Sequence, residues 1–268
     1  MLAAFFGLPL LMIIGVSFFD YDGVSSVPAF QFGNYIDLFT SRNTYALYLK
    51  TLEYALIVWA ITLAIGFTVS YFLAFHVRSL LWQMALFLLC TVPFWTSNII
   101  RMISWIPFLG RNGVFNQALM GLGITREPLE FLLFSDFAVI IAYVHLFTLF
   151  MIVPIFNAMA RIDRSIIEAA LDGGSSRLRV IWEIVVPLSK TGIALGSIFV
   201  ITLVMGDFFV VNTMSGGHSA SVALAMYNQI AEVQYPPAAA SAVVLLIIVV
   251  LMVAAILHLV DVRRELAG

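Results

Sequence analysis

The residues of this chain that could carry out catalysis or bind a metal are few and scattered. Its 4 histidines do not cluster with acidic residues, and its 1 cysteine, Cys90, lies inside an apolar run. A metal site needs several such ligands together, and covalent catalysis needs a nucleophile with its base. The sequence also lacks GxxxxGK[ST], the loop that cradles nucleotide phosphates. We therefore expect a non-catalytic chain without a cofactor of its own, in which Cys90 is a small buried apolar residue.

One carboxylate has an unusual setting, because Asp207 lies within the apolar run VMGDFF. An ionised carboxylate facing lipid costs about 2.5–3.5 kcal/mol at the centre of a membrane, so Asp207 should face a helix-bundle interior or a water-filled path. In such a path it could be the counter-charge of a cationic amine. The alternatives are a structural ion pair or an interfacial acid near a helix end.

Aromatic and polar side chains in two apolar stretches could line the same path. Aromatic rings can stack on an amine by cation–π contact, although they also gather at membrane interfaces without touching a solute. Arg101 would argue against a cationic solute if it faced the path. The alternatives are that it pairs with Asp207 or Glu53, or that its long side chain reaches the lipid headgroups. The predicted substrate-path residues are Trp95, Asn98, Arg101, Trp105, Asp207 and Phe208.

The composition indicates a membrane protein that crosses the bilayer several times. Of the 268 residues, 62% are apolar and only 10% are charged, and the mean hydropathy is +1.05. Soluble domains are about half apolar, and a membrane-spanning helix needs about 20 apolar residues. We predict an all-α fold and a single transmembrane domain over residues 1–268, so any energy-converting domain is expected on another chain. The six predicted spans are 1–19, 52–75, 81–103, 132–156, 193–211 and 238–260.

The segments between the spans differ in polarity. The first span lacks the basic flank of a signal peptide, so we expect it to be retained. Residues 20–50 are expected outside with a short interfacial helix, 107–128 as a polar outer segment, and 212–218 as a loop. Pro93 is expected to interrupt the third span.

The distribution of lysine and arginine sets the orientation. If the segment between the fourth and fifth spans is inside, 8 of the 13 basic residues lie on the inner side. Cytoplasmic segments carry this excess, so both termini are predicted to be cytoplasmic. The inner basic residues are Arg78, Arg161, Arg164, Arg177, Arg179, Lys190, Arg263 and Arg264, and the outer ones are Arg42, Lys50, Arg101, Arg111 and Arg126.

The segment from about 158 to 190, called the elbow below, holds the densest charge in the chain. The spacing Ser165-x-x-Glu168 is typical of a capping box at a helix start. Gly173-Gly174 then permits a sharp turn, and Ser175 or Ser176 can cap a second helix. We predict that this second helix ends near Ile184, before Pro187, which gives a helix–turn–helix at the membrane surface.

The elbow resembles the EAA loop in the membrane-spanning subunits of bacterial ABC importers. That motif is EAA, three residues, G, nine residues, I, one residue, LP, and this chain departs from it only at Val186. The resemblance implies that the elbow docks on an ATP-hydrolysing subunit. The alternative is an ordinary amphipathic loop whose small residues permit close packing. The implied coupling residues are Glu168, Ala169, Ala170, Asp172, Gly174 and Pro187.

Three further stretches resemble the spermidine/putrescine branch of these permeases. They are PFWTSNIIR at 93–101, LGRNG at 109–113 followed by Asn116, and GDFFV at 206–210 followed by Gly216-Gly217. The resemblance implies a type I ABC importer permease fold and a path for a small organic cation, in particular a polyamine. Permeases for opines, phosphonates, thiamine or iron look similar and remain alternatives.

The same resemblance implies a multi-pass protein of the bacterial inner membrane with several partners. These are a second homologous permease chain, two ATP-binding subunits that hold ATP and magnesium, and an extracytoplasmic solute-binding protein. Blocks of basic residues are absent, so nucleic acid is not expected as a partner. An ion-coupled secondary transporter is less favoured, because such folds usually show paired repeats and several ionisable groups near mid-bilayer.

Overall fold

The computed structural model describes residues 2–21, 23 and 25–260, with the side chains of 2–4 and 6 left out. The predicted inner residues Arg263 and Arg264 therefore lie outside the described residues. The described part is almost entirely helical, with one short antiparallel hairpin in which Asp20 pairs with Val27 and Tyr21 with Ser26. This confirms the all-α prediction, because strands account for only four residues of the described chain.

The described residues of the first half of the chain form six α-helices, a π-helical turn and a 3-10 turn. The π turn lies at the end of the long helix α3, and the 3-10 turn follows α4. The bounds are α1 Leu2–Val16, β1 Asp20–Tyr21, β2 Ser26–Val27, α2 Gly33–Thr40, α3 Arg42–Tyr71, the π turn Phe72–His76, α4 Leu80–Thr91, the 3-10 turn Val92–Trp95, α5 Asn98–Leu109 and α6 Val114–Gly121.

The second half contains three long helices joined by short ones. Their bounds are a 3-10 turn at Glu130–Leu132, α7 Asp136–Met159, α8 Arg164–Asp172, α9 Arg177–Val180, a π turn at Ile181–Val185, α10 Val186–Gly206, α11 Phe209–Met214, α12 Val222–Ala231 and α13 Tyr235–Val260.

Four continuous helical stretches of the described residues are long and apolar enough to cross a membrane. They are Arg42–His76, Glu130–Met159, Arg177–Gly206 and Tyr235–Val260. A fifth is present if the bent pair Leu80–Trp95 and Asn98–Gly121 counts as one span. The first predicted span is the 15-residue α1, about 22 Å long and so shorter than the hydrocarbon core.

The helices differ from the predicted spans mainly at three interruptions. The third predicted span changes at Pro93, as expected, from an α-helix to the 3-10 turn Val92–Trp95. The break itself follows Trp95, and the next helix is bent by 88° instead of continuing in line to residue 103. The predicted polar segment 107–128 in fact contains the end of α5 and all of α6. The fifth predicted span ends early, because α10 stops at Gly206 and a separate helix follows.

The chain forms two compact units, and the boundaries between them fall within α3, α5, α7, α10 and α13. The first unit comprises the described residues of Met1–Ala55, Ile106–Ile140 and Val204–Met252. The second comprises the described residues of Leu56–Trp105, Ile141–Leu203 and Val253–Gly268.

In the first unit, side chains tie the region after α1 to neighbouring backbone. The Asn34 amide donates to the carbonyl oxygens of Ser17 and Phe19, each at 2.9 Å. The Tyr48 hydroxyl donates to the Ser241 carbonyl at 2.9 Å, which joins α3 to α13. Because these carbonyl oxygens have hydrogen-bond partners, their burial does not carry the free-energy cost of an unsatisfied polar group.

In the second unit, helices approach one another closely at glycines. A Cβ on Gly192 of α10 would lie 2.7 Å from the Cβ of Ala158 and against the carbonyl oxygen of Pro154 in α7. A Cβ on Gly66 of α3 would lie 2.7 Å from the Cγ of Met151. Small residues at such contacts let helix backbones pack closely in a membrane, where the hydrophobic effect does not drive helices together.

We predict that Gly192→Ala destabilises the second unit by about 1–3 kcal/mol, because the added methyl meets backbone that cannot move aside cheaply. The measurement is the thermal unfolding midpoint of the purified protein in detergent. Gly206→Ala on the same helix is the matched control, since its Cβ would have nothing within 4 Å. Equal midpoints for the two variants would contradict the packing argument.

Candidate functional site: the elbow and the polar groups of the apolar spans

The first helix of the elbow, α8, is capped by an aspartate. The backbone N–H of Ser165 donates to the Asp163 carboxylate at 2.9 Å, and Asp163 is the N-cap. The predicted capping box at Ser165 is therefore wrong: the N-cap lies two residues earlier, at Asp163, and the helix begins at Arg164. An aspartate is as good a cap as a serine, and its charge also suits the positive helix end.

The cap also has an electrostatic signature. The hydrogen bond from the Ser165 backbone lowers the pKa of the exposed Asp163 carboxyl. A lowered pKa means that the ionised form stabilises the helix above the ordinary pKa of aspartate. That contribution is lost as the pH falls through the lowered value.

The turn of the elbow is a Schellman motif built on Gly174. The N–H of Gly174 donates to the carbonyl of Leu171 at 2.9 Å, and the N–H of Ser175 donates to the carbonyl of Ala170 at 3.0 Å. This pair of bonds requires a left-handed residue between them, and Gly174 has φ +85°. The prediction of a glycine turn holds, although Gly173 has an ordinary φ of −71°.

An arginine fastens the elbow to the end of the second predicted span. The guanidinium of Arg164 donates to the carbonyl oxygens of Ala74 and Val77, each at 2.9 Å. These carbonyls follow α3, where the last turn of a helix leaves acceptors without partners. The side-chain amide of Gln83 donates to a third carbonyl oxygen, that of Leu73, at 2.9 Å. Motion of α8 is therefore tied to the C-terminal end of α3.

The second helix of the elbow continues straight into the next span. Ser176 caps α9, accepting from the N–H of Arg179 at 3.3 Å, which confirms one of the two predicted caps. The predicted end before Pro187 is wrong, because Arg177–Gly206 is one helical stretch. A proline clashes with the carbonyl four residues before it and removes one helical bond. The wide π turn Ile181–Val185 lies immediately before Pro187 and accommodates this defect.

The predicted coupling residues lie on and around α8. Glu168, Ala169 and Asp172 are exposed, and Ala170 is half-buried. Glu168 lines a pocket of about 390 Å³ together with Arg164 and the aromatic residues Tyr71 and Phe75. The exposed side chains leave the surface of α8 available to a partner.

A second cavity, of about 690 Å³, lies beside the start of the elbow. Its lining includes Pro154 and Asn157 of α7, Asp163 and Ile166 of the elbow, and Thr191 of α10. The helix that enters the elbow and the helix that leaves it therefore share one cavity. A shift of the elbow would change the shape of that cavity.

Four of the predicted path residues lie in the second unit. Trp95 is 76% exposed, and Trp105 donates to Nδ1 of His145 at 3.0 Å. Arg101 is only 8% exposed and donates to the side chain of Asn98, while its Nε has no hydrogen-bond partner among the described residues. The predicted contact of Arg101 with headgroups does not fit this burial.

The other two predicted path residues lie in the first unit, at the break after α10. The carboxylate of Asp207 accepts from the N–H of Val210 at 2.8 Å and so caps α11. Phe208 stacks on Tyr227 with ring centroids 4.4 Å apart and planes 9° apart. Asp207 thus has a structural task, and any contact with a substrate would come in addition to it.

A polar network in the first unit was not predicted. The carboxylate of Asp136, at the start of α7, accepts from Lys50 at 2.6 Å, from Tyr54 at 2.5 Å and from Ser219. Thr51 accepts the N–H of Val222 at 3.0 Å. These bonds hold the loop before α12 to α3 and α7. The available signal was an aspartate at the first position of an apolar helix.

Asn116, which belongs to one of the stretches that resemble polyamine permeases, is fully buried and connects two parts of the backbone. Its amide donates to the carbonyls of Gly110 and Leu129 at 3.1 and 3.2 Å, and its carbonyl accepts from the N–H of Leu129 at 2.8 Å. It therefore closes the segment that follows α5.

Comparison with known proteins places these features in one family. Residues 66–265 match the family described as "Binding-protein-dependent transport system inner membrane component". The spermidine/putrescine transport system permease protein PotB of Escherichia coli (strain K12) is 35% identical over 237 residues, which cover 87% of this chain and 84% of PotB. PotB of Haemophilus influenzae is 32% identical over 212 residues, 78% of this chain and 72% of that protein.

A solved structure shows the same fold. It is the crystal structure of a bacterial alginate ABC transporter in complex with an alginate pentasaccharide-bound periplasmic protein, matched with a TM-score of 0.72 at 17% identity. The match covers 85% of this chain and 82% of that one. The likeness confirms the permease fold predicted from the sequence.

We predict that Gly174→Val weakens the Schellman bonds, because a left-handed backbone costs an ordinary L-residue about 1–2 kcal/mol. The measurement is amide hydrogen exchange at residues 174 and 175, which should become faster. Gly174→Asn is the matched variant, since asparagine tolerates this conformation and should exchange nearly as slowly as glycine. A Cβ at this position meets nothing within 4 Å, so unchanged exchange in the valine variant would disprove the conformational argument.

Proposed function

Since this chain belongs to the family of binding-protein-dependent transport system inner membrane components, we propose that it forms part of the path by which an ATP-driven importer takes up a polyamine. The chain is a multi-pass protein of the plasma membrane and a non-catalytic permease subunit. Its relatives at 32–35% identity are permease proteins for spermidine and putrescine.

The observation that carries the proposal is the construction of the elbow. Its first helix is capped by Asp163, turned at Gly174 and fastened to the end of α3 by Arg164. When a partner displaces an exposed helix that is fastened in this way, the displacement is transmitted to the membrane spans. The elbow, α7 and α10 line one cavity, so the same displacement would change the shape of that cavity.

We infer the partners from this function. The ATP and magnesium would be held by two ATP-binding subunits, with α8 of this chain docked on one of them. A second, homologous permease chain would complete the path, and a solute-binding protein would deliver the polyamine on the outer side. The alginate transporter of the same fold has a periplasmic protein of that kind in its complex. The elbow and both termini would then face the cytoplasm, with α1 as a further pass.

The proposed substrate contact is Asp207. A small organic cation needs a counter-charge in a membrane, and Asp207 lies at a break between two helices of an apolar stretch. The ring of Phe208, which stacks on Tyr227, offers aromatic surface for the alkyl and ammonium groups of a polyamine. Arg101 would repel a polyamine at short range, so its burial beside Asn98 supports a structural task for it.

We predict that vesicles containing this chain, a homologous permease, the ATP-binding subunits and the binding protein import labelled spermidine when ATP is supplied. Glu168→Lys should abolish this import while leaving assembly and ATP hydrolysis, because the reversed charge lies on the docking surface. The matched control is Glu183→Lys, which loses only an exposed ion pair to Arg179 at 3.5 Å, an interaction worth little.

Three results would count against all or part of this proposal. Normal import in the Glu168 variant would remove α8 from coupling. Spermidine movement by this chain alone, driven by an ion gradient, would replace the importer with a secondary transporter. Import of another solute but not of spermidine would keep the importer and reject the polyamine.

We predict that Asp207→Asn lowers spermidine import by at least about tenfold, since an isolated ammonium loses its counter-charge in the apolar path. Asparagine keeps the cap of α11, because it accepts hydrogen bonds at an N-cap as well as aspartate does. Asp207→Ala loses both cap and charge. If asparagine imports normally and alanine fails, the role of Asp207 is the cap alone.

A further inference from the structure

Two pockets of the second unit lie end to end between the same two stretches of chain. The first, of about 390 Å³, lies between the end of α3 and the elbow and includes Arg78 and Arg177. The second, of about 590 Å³, runs along α3 from Trp59 to Thr68 and along the chain from Ile181 to Ile193. Val180 lines the first pocket and Ile181 the second, so the two meet at neighbouring residues.

The chemistry of the two pockets differs sharply. The first is basic, with His76, Arg78, Arg164 and Arg177 against the single acid Glu168. Arg164 already donates to backbone carbonyls. No carboxylate of the described residues lies within 4.0 Å of the guanidinium of Arg78 or Arg177. The first pocket therefore suits an anion.

The second pocket is a groove with an apolar lining. It is formed by tryptophan, leucine, isoleucine, valine, alanine and phenylalanine side chains. Its one hydroxyl on α3, that of Thr68, donates to the carbonyl of Ala64 at 2.7 Å and is satisfied. The indole N–H of Trp59 donates to the Ser197 hydroxyl at 2.8 Å and is also satisfied. Apart from the exposed indole of Trp182, the rest of the lining is hydrocarbon, so the groove suits a hydrocarbon chain.

The length of the groove matches one leaflet of a bilayer. From Trp59 to Thr68 the helix α3 rises by about 14 Å, and half of the hydrocarbon core is about 15 Å. The aromatic side chains of Tyr71 and Trp182 lie near the junction of the pockets, and Trp182 is 70% exposed. Such residues prefer the level of the headgroups.

We propose that these two pockets form one binding site for an anionic phospholipid, with the phosphate headgroup between Arg78 and Arg177 and an acyl chain along α3. The headgroup then touches both the end of the span and the elbow. A lipid in this position holds the two together in the way that Arg164 does. The cytoplasmic leaflet is the source of the lipid, given the orientation proposed above.

The test is retention of lipid by the assembled importer. Nanodiscs are made with equal parts of phosphatidylglycerol and phosphatidylcholine, the importer is recovered in mild detergent, and the lipids that remain bound are identified by native mass spectrometry. The wild type should retain phosphatidylglycerol in preference. Each arginine near an anionic headgroup strengthens the binding of that lipid about fivefold. The Arg78→Gln/Arg177→Gln variant should therefore lose roughly thirtyfold in its preference for phosphatidylglycerol.

Matched variants separate the site from general effects of charge and size. Arg179→Gln removes an exposed arginine of the same helix that does not line the pocket, and retention should stay unchanged. Ala64→Phe fills the groove and should reduce retention with both arginines in place. Ile65→Phe is its control, because Ile65 is exposed and does not line the groove.

Several outcomes would overturn the site. They are equal retention of both lipids, unchanged retention in the double arginine variant, or loss in Arg179→Gln as large as in the double variant. Displacement of the headgroup by inorganic phosphate, with no effect of Ala64→Phe, would indicate a small-anion site. Cross-linking of Ala64→Cys to the second permease chain would show that protein, not lipid, covers the groove. Each of these results is independent of whether the importer carries spermidine.

Discussion

The absence of water in a bilayer core requires that every backbone N–H and C=O be satisfied within the protein, and two interruptions among the described helices show how this chain meets that constraint. After α3, the freed carbonyls are taken by Gln83 and Arg164. After α10, Asp207 caps the helix that follows. The polar side chains at these two breaks thus have a structural task, which is to bond the backbone groups that the helix ends leave free.

The same constraint also limits how freely the elbow can bend. A loop that satisfied its backbone with water could bend freely, whereas α8 and α9 are joined through a Schellman turn and fastened to α3 by two charge-assisted hydrogen bonds. Force applied to α8 therefore reaches the C-terminal end of α3 and the cavity between α7 and α10. This is the property that an ATP-driven importer needs at its coupling surface.

The sequence alone was sufficient where the signal is local or repetitive. Long apolar runs located the main helices, and the spacing of Glu168, Gly174 and Ile184 located the elbow. Prediction failed where the partner comes from distant sequence: Asp136 meets Lys50 and Ser219 across more than 80 residues. It also failed where two local signals compete. Both Ser165 and Asp163 are good N-cap residues, and Asp163 is the one that caps α8. Pro187 was expected to follow a helix end, but a π turn accommodates it within a continuous helix.

The central claim is that α8 meets the ATP-hydrolysing subunit, and the most direct measurement is site-specific cross-linking. Ala169→Cys, placed in a Cys90→Ser background, should form an adduct with that subunit in membranes, with a yield that changes when ATP is added. Leu122→Cys, at a residue that is 74% exposed on the opposite predicted side, should form none. An adduct from residue 122 but not from residue 169 would contradict the account.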